Sequence, residues 1–186
     1  MIKRTLRPFI GNEVDAVEGI EYGVWRDAGC ICVEYDLYGL LSHLEIPEGA
    51  GLEGKRSDEL WRHTCFELFV REETGNKTHY LECNFSPAGD WNMYSFSSYR
   101  EAMEQAKIAA EPKITIEQAK KTLTLRAEVD LTGLVSASSV IDVGVGCIVE
   151  NKAGKLGYWA VTHPGEKPDF HDPRSFEIRL IGTKTH

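Results

Sequence analysis

WRHTCFELFV (residues 61–70) and YLECNFSPAGDWNMYSFSSYR (residues 80–100) decide how this 186-residue chain is read. Both stretches alternate at the two-residue period of a β-strand, which sends successive side chains to opposite faces of a sheet. Phe66, Leu68 and Val70 therefore face a core, and Trp61, His63, Cys65 and Glu67 face away from it. In the next strand Leu81, Cys83 and Phe85 are apolar, while Tyr80, Glu82, Asn84 and Ser86 share the opposite face. In the third, Tyr94 and Phe96 read as core-facing, which leaves Trp91, Met93 and Ser95 on the polar side. A strand face that only meets water carries Lys, Thr and Glu. This one sets two tryptophans beside a histidine, and a ligand is expected on it.

Hairpins closing at residues 74–77 and 87–90 put all three polar sets on one sheet face. Folding the first about Gly75 and Asn76 brings Glu67 beside Glu82. Like charges opposed on a sheet are unfavourable and call for a cation, a shared proton or a basic partner. Arg100, just after the third strand, is the expected partner, because a guanidinium holds a carboxylate through two parallel hydrogen bonds.

Outward from this block, period-two runs recur at residues 2–9, 17–25, 30–37, 108–116, 123–131, 140–150, 157–163 and 176–180, punctuated by Gly, Pro, Asn and Asp. Many short strands with such punctuation predict an all-β fold, a two-sheet antiparallel β-sandwich with Greek-key-like connections and ten or eleven strands. One short helix is expected at residues 99–107, YREAMEQAK, with a further helical turn within residues 132–139. Residues 42–60 and 164–175 read as long loops, where binding functions concentrate. No repeat or composition shift divides the chain, so residues 1–186 are read as one domain.

Forty-two per cent of the residues are hydrophobic, enough for a substantial core. The net charge of −8 argues against nucleic acid, which selects a clustered basic surface, and against docking on anionic lipid. No apolar run approaches the ~20 residues that span a bilayer, and the basic N-terminus lacks the apolar segment of a secretory signal. Five cysteines scattered among apolar residues read as buried free thiols, and hence as a cytoplasmic protein. His63, Cys65, His163 and His171 show none of the short spacings of a metal site.

Three blocks carry a resemblance. They are residues 60–67, LWRHTCFE; residues 80–87, YLECNFSP, continuing through Gly89, Trp91, Tyr94, Phe96, Tyr99 and Arg100; and Tyr158-Trp159-Ala160 with His163-Pro164 and Lys167-Pro168-Asp169-Phe170-His171. Together they resemble the DOMON-like domains, within them the cytoplasmic-type group that is similar to family 9 carbohydrate-binding modules. The resemblance implies an immunoglobulin-like antiparallel sandwich with a ligand pocket on one sheet, and haem or sugar as the ligand. The chain departs from it in two ways. The methionine–histidine pair of haem-binding relatives is not identifiable, Met103 and His163 matching only in residue type. The tryptophan clamp of the sugar modules does not map one to one, although Trp61, Trp91 and Trp159 supply aromatics.

The function expected from this is non-catalytic binding of a small polar ligand, a carbohydrate or sugar derivative, without a cofactor. Trp61 and Trp91 would stack on the ligand, and His63, Glu67, Glu82, Asn84 and Arg100 would supply polar contacts. Lys167 and His171, on the proline-stiffened loop Lys167-Pro168-Asp169-Phe170-His171, would form a lid or rim, and His163, at the end of the strand before it, is a further ligand-binding candidate. The alternatives are a haem-binding domain, an enzyme using Glu67 and Glu82 as a glycosidase-like pair on the same face, and a structural or partner-binding module. No catalytic residue is assigned.

Overall fold

The computed structural model describes residues 2–27, 29–47, 54–73 and 78–182. Its strands are β1 (Arg4–Thr5), β2 (Arg7–Pro8), β3 (Val17–Asp27), β4 (Cys30–Gly39), β5 (Cys65–Glu72), β6 (Tyr80–Phe85), β7 (Trp91–Phe96), β8 (Glu104–Gln105), β9 (Lys113–Gln118), β10 (Thr122–Asp130), β11 (Ile141–Glu150), β12 (Leu156–Ala160) and β13 (Ile178–Leu180). They form two antiparallel sheets, the expected all-β sandwich. The first is ordered β1-β3-β4-β10-β9; the second is β2-β12-β11-β5-β6-β7-β8, with β13 alongside β11. The hairpin turn expected at residues 74–77, and part of the expected loop at 42–60, lie outside the described residues.

The alternation seen in the sequence builds the core. In β10, Leu123, Leu125, Ala127 and Val129 are buried, while Arg126 is exposed. They meet Phe66, Leu68 and Val70 of β5 and Leu81, Cys83 and Phe85 of β6 in one cluster between the sheets. Tyr35 of β4 ties the layers together. Its buried hydroxyl donates to the backbone carbonyl of Glu67 at 2.8 Å, and its ring packs on Phe66 with centroids 4.9 Å apart. Position 67 is thus pinned from beneath. The predicted strand at residues 2–9 is split: Arg4 and Thr5 pair with β3, Arg7 and Pro8 pair with β12, and buried Leu6 marks the crossing.

The helix expected at residues 99–107 is absent. A turn closes on Ser98 and Glu101, and Glu104 and Gln105 then pair with the edge of β7 as β8. Arg100 and Ala102 take left-handed backbone angles, with φ of 55° and 51°. Neither fits a right-handed helix, and the open backbone of β7 offers partners that a single short helix lacks. The helical elements are 3-10 turns at Leu41–His43, Leu60–Arg62 and Pro173–Ser175. Residues 132–139 form turns, two of whose amides bond to the Leu131 carbonyl.

The second sheet has an apolar layer on its outer face as well, because residues 164–177 fold back over it. Phe170 and Phe176 lie directly on two glycines of β11. A Cβ added at Gly146 would stand 2.8 Å from the Phe170 ring, and one at Gly144 would stand 2.7 Å from the Phe176 ring. Gly146→Ala should push the Phe170 end of this segment off the sheet and cost about 1–3 kcal/mol, the usual penalty of overpacking. Urea denaturation of the variant checks this, and an unchanged midpoint would show that the ring shifts freely.

All five cysteines are free thiols; Cys32, Cys65, Cys83 and Cys147 are buried and Cys30 is half-buried. Burial raises their pKa, that of Cys32 to about 11. A thiol reagent should therefore modify at most Cys30 in the native protein and all five after denaturation. Rapid native labelling of two or more would contradict this burial.

Candidate functional site

Between the folded-back segment and the outer face of the second sheet lies a half-open cleft of about 420 Å³. That volume falls within the ~300–1,000 Å³ typical of small-molecule sites. Its floor comes from β5 and β6. Glu67 sits opposite Asn84, and Phe69 opposite Glu82, so the two glutamates are diagonal neighbours on one face. The sequence reading set Glu67 directly opposite Glu82; the observed register is two residues away, and a two-residue slip keeps the face. Trp61, Phe96, Ile148, Tyr158 and Phe170 supply the apolar walls.

The floor is electrostatically unbalanced. Glu67 is 3% exposed, and its Oε1 has no hydrogen-bond partner. Glu82 accepts a bond from Asn84 Nδ2 at 2.8 Å and lies 3.6 Å from His171 Nε2. Burial, reinforced by Glu82, holds the Glu67 carboxyl well above the usual carboxylate range. Burial also raises Glu82, against the opposing pull of its Asn84 bond and of Arg100. His171 is lowered to about 4, by burial first and then by Arg100, so its ring is neutral at pH 7. The Arg100 amide donates to Tyr80 Oη at 3.2 Å, and Tyr80 Oη is 2.8 Å from His171 Nδ1. With the hydroxyl donating to Nδ1, the remaining ring proton sits on Nε2 and points at Glu82.

Arg100 lines the cleft without holding either glutamate. Its guanidinium bonds Asp169 at 2.8 Å. Tyr99 Oη also donates to Asp169, as does the His171 backbone amide, at 3.1 Å. The expected Arg100 fork on Glu67 or Glu82 is therefore corrected to a bond with Asp169. With Arg100 51% exposed, this pair contributes at most ~1 kcal/mol. Its significance is positional. Left-handed backbone at Arg100, uncommon for a residue with a Cβ, aims the side chain at the cleft.

Trp61 is set by a polar anchor. Asp58, three residues earlier, accepts bonds from Tyr94 Oη and Asn92 Nδ2, each at 2.8 Å, and from Gln105 Nε2 at 3.0 Å. That fixes the 3-10 turn at Leu60–Arg62 over β7 and β8. The Trp61 ring stands edge-on to Tyr94, with centroids 5.6 Å apart.

Of the residues singled out from the sequence, Trp61, Glu67, Glu82, Arg100 and His171 line the cleft. Asn84 lies buried beside it and holds Glu82. The others lie elsewhere. Trp91 is in the inter-sheet core, under the Arg56 guanidinium 5.0 Å away. Phe85 pairs with Trp91, so the turn between them preserves parity: Trp91 and Met93 face inward, while Asn92, Tyr94 and Phe96 face outward. Reading Tyr94 and Phe96 as core-facing inverted this strand. Their burial comes from the segments that cover the outer face. His63 is exposed and bonds Glu150 at 2.7 Å. His163 Nε2 donates to the Arg7 carbonyl at 2.9 Å, which ties the segment to β2. Lys167 is exposed and outside the cleft lining.

Sequence reasoning gave no site role to Tyr158 or Ile148, read Phe96 as core-facing, and placed Asp169 and Phe170 only generally on a rim. Outward parity in β11 and β12 was the available signal for the first two. Trp159, the larger neighbour of Tyr158, faces the inter-sheet core instead. Met103 lines the cleft and His163 does not, so they do not form a facing pair in it. Among the described residues, no three His, Cys, Asp or Glu side chains converge as metal ligands.

The titrations at the floor give opposite slopes. His171, lowered, contributes stability that is present above pH 6.5 and lost as pH falls towards 4. Glu67 and Glu82, raised, contribute stability that is present below about pH 4.5 and lost as pH rises through their elevated values. Glu67→Gln removes a carboxyl that must lose a proton in a dry site. Its stability should gain on that of the wild type as pH rises from 6 to 9, by at most ~1.4 kcal/mol per pH unit, and be read as a melting temperature that rises relative to wild type. A difference independent of pH would show that Glu67 titrates normally.

No family model matches the sequence, and no curated protein does. Solved structures do share the fold. A protein of Bacteroides uniformis, provisionally described as carbohydrate-binding, superposes with a TM-score of 0.66 at 15% identity, over 97% of this chain and 85% of that one. A family 9 carbohydrate-binding module of Caldicellulosiruptor kristjanssonii in complex with cellotriose gives 0.58 at 11% identity, over 97% and 84%. A family 9 module of that organism in complex with glucose gives 0.54 at 10% identity, over 97% and 94%. The sandwich described here is the fold of these carbohydrate-binding modules.

Proposed function

We propose that the cleft binds a carbohydrate without transforming it. The observation that carries this reading is a dry carboxyl pair, Glu67 and Glu82, at the floor of a cleft walled by Trp61, Tyr158 and Phe170. A pyranose has apolar C–H faces that pack on aromatic rings and hydroxyls that donate to carboxylates, and the cleft offers both kinds of surface. Arg100 at the rim adds donors for ring or hydroxyl oxygens. The fold shared with modules seen with cellotriose and glucose supports the same substrate class.

Glycoside hydrolysis fits less well. The two carboxyls of a glycosidase flank the scissile bond, and their environments push their pKa values apart. Glu67 and Glu82 rise together from one sheet face, and burial raises both. A sugar above them meets both from the same side. The buried, unpaired thiols suit a reducing compartment such as the cytoplasm.

Titration with a panel of mono- and oligosaccharides, followed by tryptophan fluorescence, tests the reading. Trp61→Ala should weaken binding about tenfold, with little loss of thermal stability because Trp61 is only partly buried. Trp25→Phe, on the other sheet, should leave affinity unchanged. Absence of binding to every sugar at millimolar concentration would overturn the proposal.

A further inference from the structure

We infer that the saccharide fitting this cleft carries a protonated amine, seated between Glu67 and Glu82. This rests on the carbohydrate reading above and specifies its chemical class.

Acidic groups outnumber basic ones in the cleft lining. Three carboxyls, Glu67, Glu82 and Asp169, line the cleft against one guanidinium, Arg100. That guanidinium is bonded to Asp169, which also takes the Tyr99 hydroxyl and the His171 amide. Asp169 is therefore satisfied several times over, while among the described residues no Lys or Arg bonds Glu67 or Glu82. The other titratable groups around the pair supply none. Tyr35 from β4, Cys65 from β5 and Cys147 from β11 are fully buried and held above their usual range by desolvation. Tyr80 and Tyr94, from β6 and β7, are raised for the same first cause, and His171 is neutral at pH 7.

Hydrogen-bond donors at the floor are too few for its acceptors. Glu82 has Asn84 on one oxygen and His171 near the other, whereas Glu67, which lines the cleft, has a buried Oε1 with no hydrogen-bond partner among the described residues. An ammonium brings three N–H donors and a full positive charge, and has no lone pair to set against a carboxylate. A hydroxyl brings one donor and no charge, so it leaves the buried carboxyls holding their protons, whereas an ammonium favours their ionised form. The groove beyond Trp61 and Met103 is acidic as well, lined by Asp58, Glu59 and Glu104. Both the approach and the floor therefore favour a cation.

The test compares the 2-amino-2-deoxy forms of glucose, galactose and mannose with their N-acetyl forms and parent hexoses, by calorimetry at pH 7. At least one amino sugar should bind about tenfold tighter than its N-acetyl and parent counterparts. Calorimetry in two buffers of different ionisation enthalpy should show proton release with the amino sugar only. Glu67→Gln and Glu82→Gln, each checked for an intact melting transition, should bring the amino sugar to within about twofold of its parent. Equal affinity of amino and parent sugars in the wild type would overturn this inference and leave carbohydrate binding standing. Methylammonium chloride binding as tightly as the amino sugars would remove the saccharide and leave a cation site. Binding of none of these probes would overturn this inference, and the carbohydrate reading with it once the oligosaccharides also fail to bind.

Discussion

A carboxyl group taken out of water must acquire a proton, a set of donors or a cation, and the architecture around the cleft follows from that requirement at Glu67. The chain contains its own control. On the outer face of the first sheet, Glu34 is also largely buried, which by itself would raise its pKa, yet Lys3 and Arg126 bond to it and the net shift is downward. Two bases arrive where the face is structural. On the outer face of the second sheet no described Lys or Arg bonds Glu67 or Glu82, and what arrives over them is the segment carrying Phe170 and Phe176. It can settle there because Gly144 and Gly146 leave the backbone of β11 bare. The same contact that dries the face leaves the glutamates without compensation.

The parts of this arrangement differ in how far the sequence reveals them. The outward parity of Glu67, Glu82 and Asn84 was legible, since it depends only on the two-residue period and on Phe66, Leu68, Leu81 and Phe85 marking the core side. Parity survives register error, so Glu67 and Glu82 shared a face even though the predicted pairing was two residues off. The third strand failed because size was taken for depth: Tyr94 and Phe96 are buried, but under a loop rather than between sheets. Trp91 looked exposed only as a consequence. Nothing local distinguishes the two kinds of burial, because the covering residues are distant in the chain, Asp58 and Trp61 against Tyr94 and His171 against Phe96. Arg100 failed similarly, as proximity to two acids in sequence says nothing about a third carboxylate brought in by tertiary contact.

Identity of 10–15% to sandwiches of the same fold shows how little of the sequence the scaffold needs. Alternation, a few glycines and turns suffice for two packed sheets. The individual character of this chain is concentrated where local preference is overridden. Examples are the left-handed backbone at Arg100 and Ala102, the orphaned carboxylate oxygen and the aromatic rings pressed on glycine. Such violations persist where other contacts over-determine them, and here they surround one cleft.

The crossing at Leu6 has a consequence of a different kind. Residues on either side of it pair with the outermost long strand of each sheet, β3 on one and β12 on the other. One short segment therefore closes two lateral borders at once, each otherwise a row of unsatisfied amides and carbonyls ready to template another chain. Shortening the chain through Phe9 would remove little mass and no part of the cleft, but it would bare both borders together. The hazard in such a trimmed protein is self-association by strand addition.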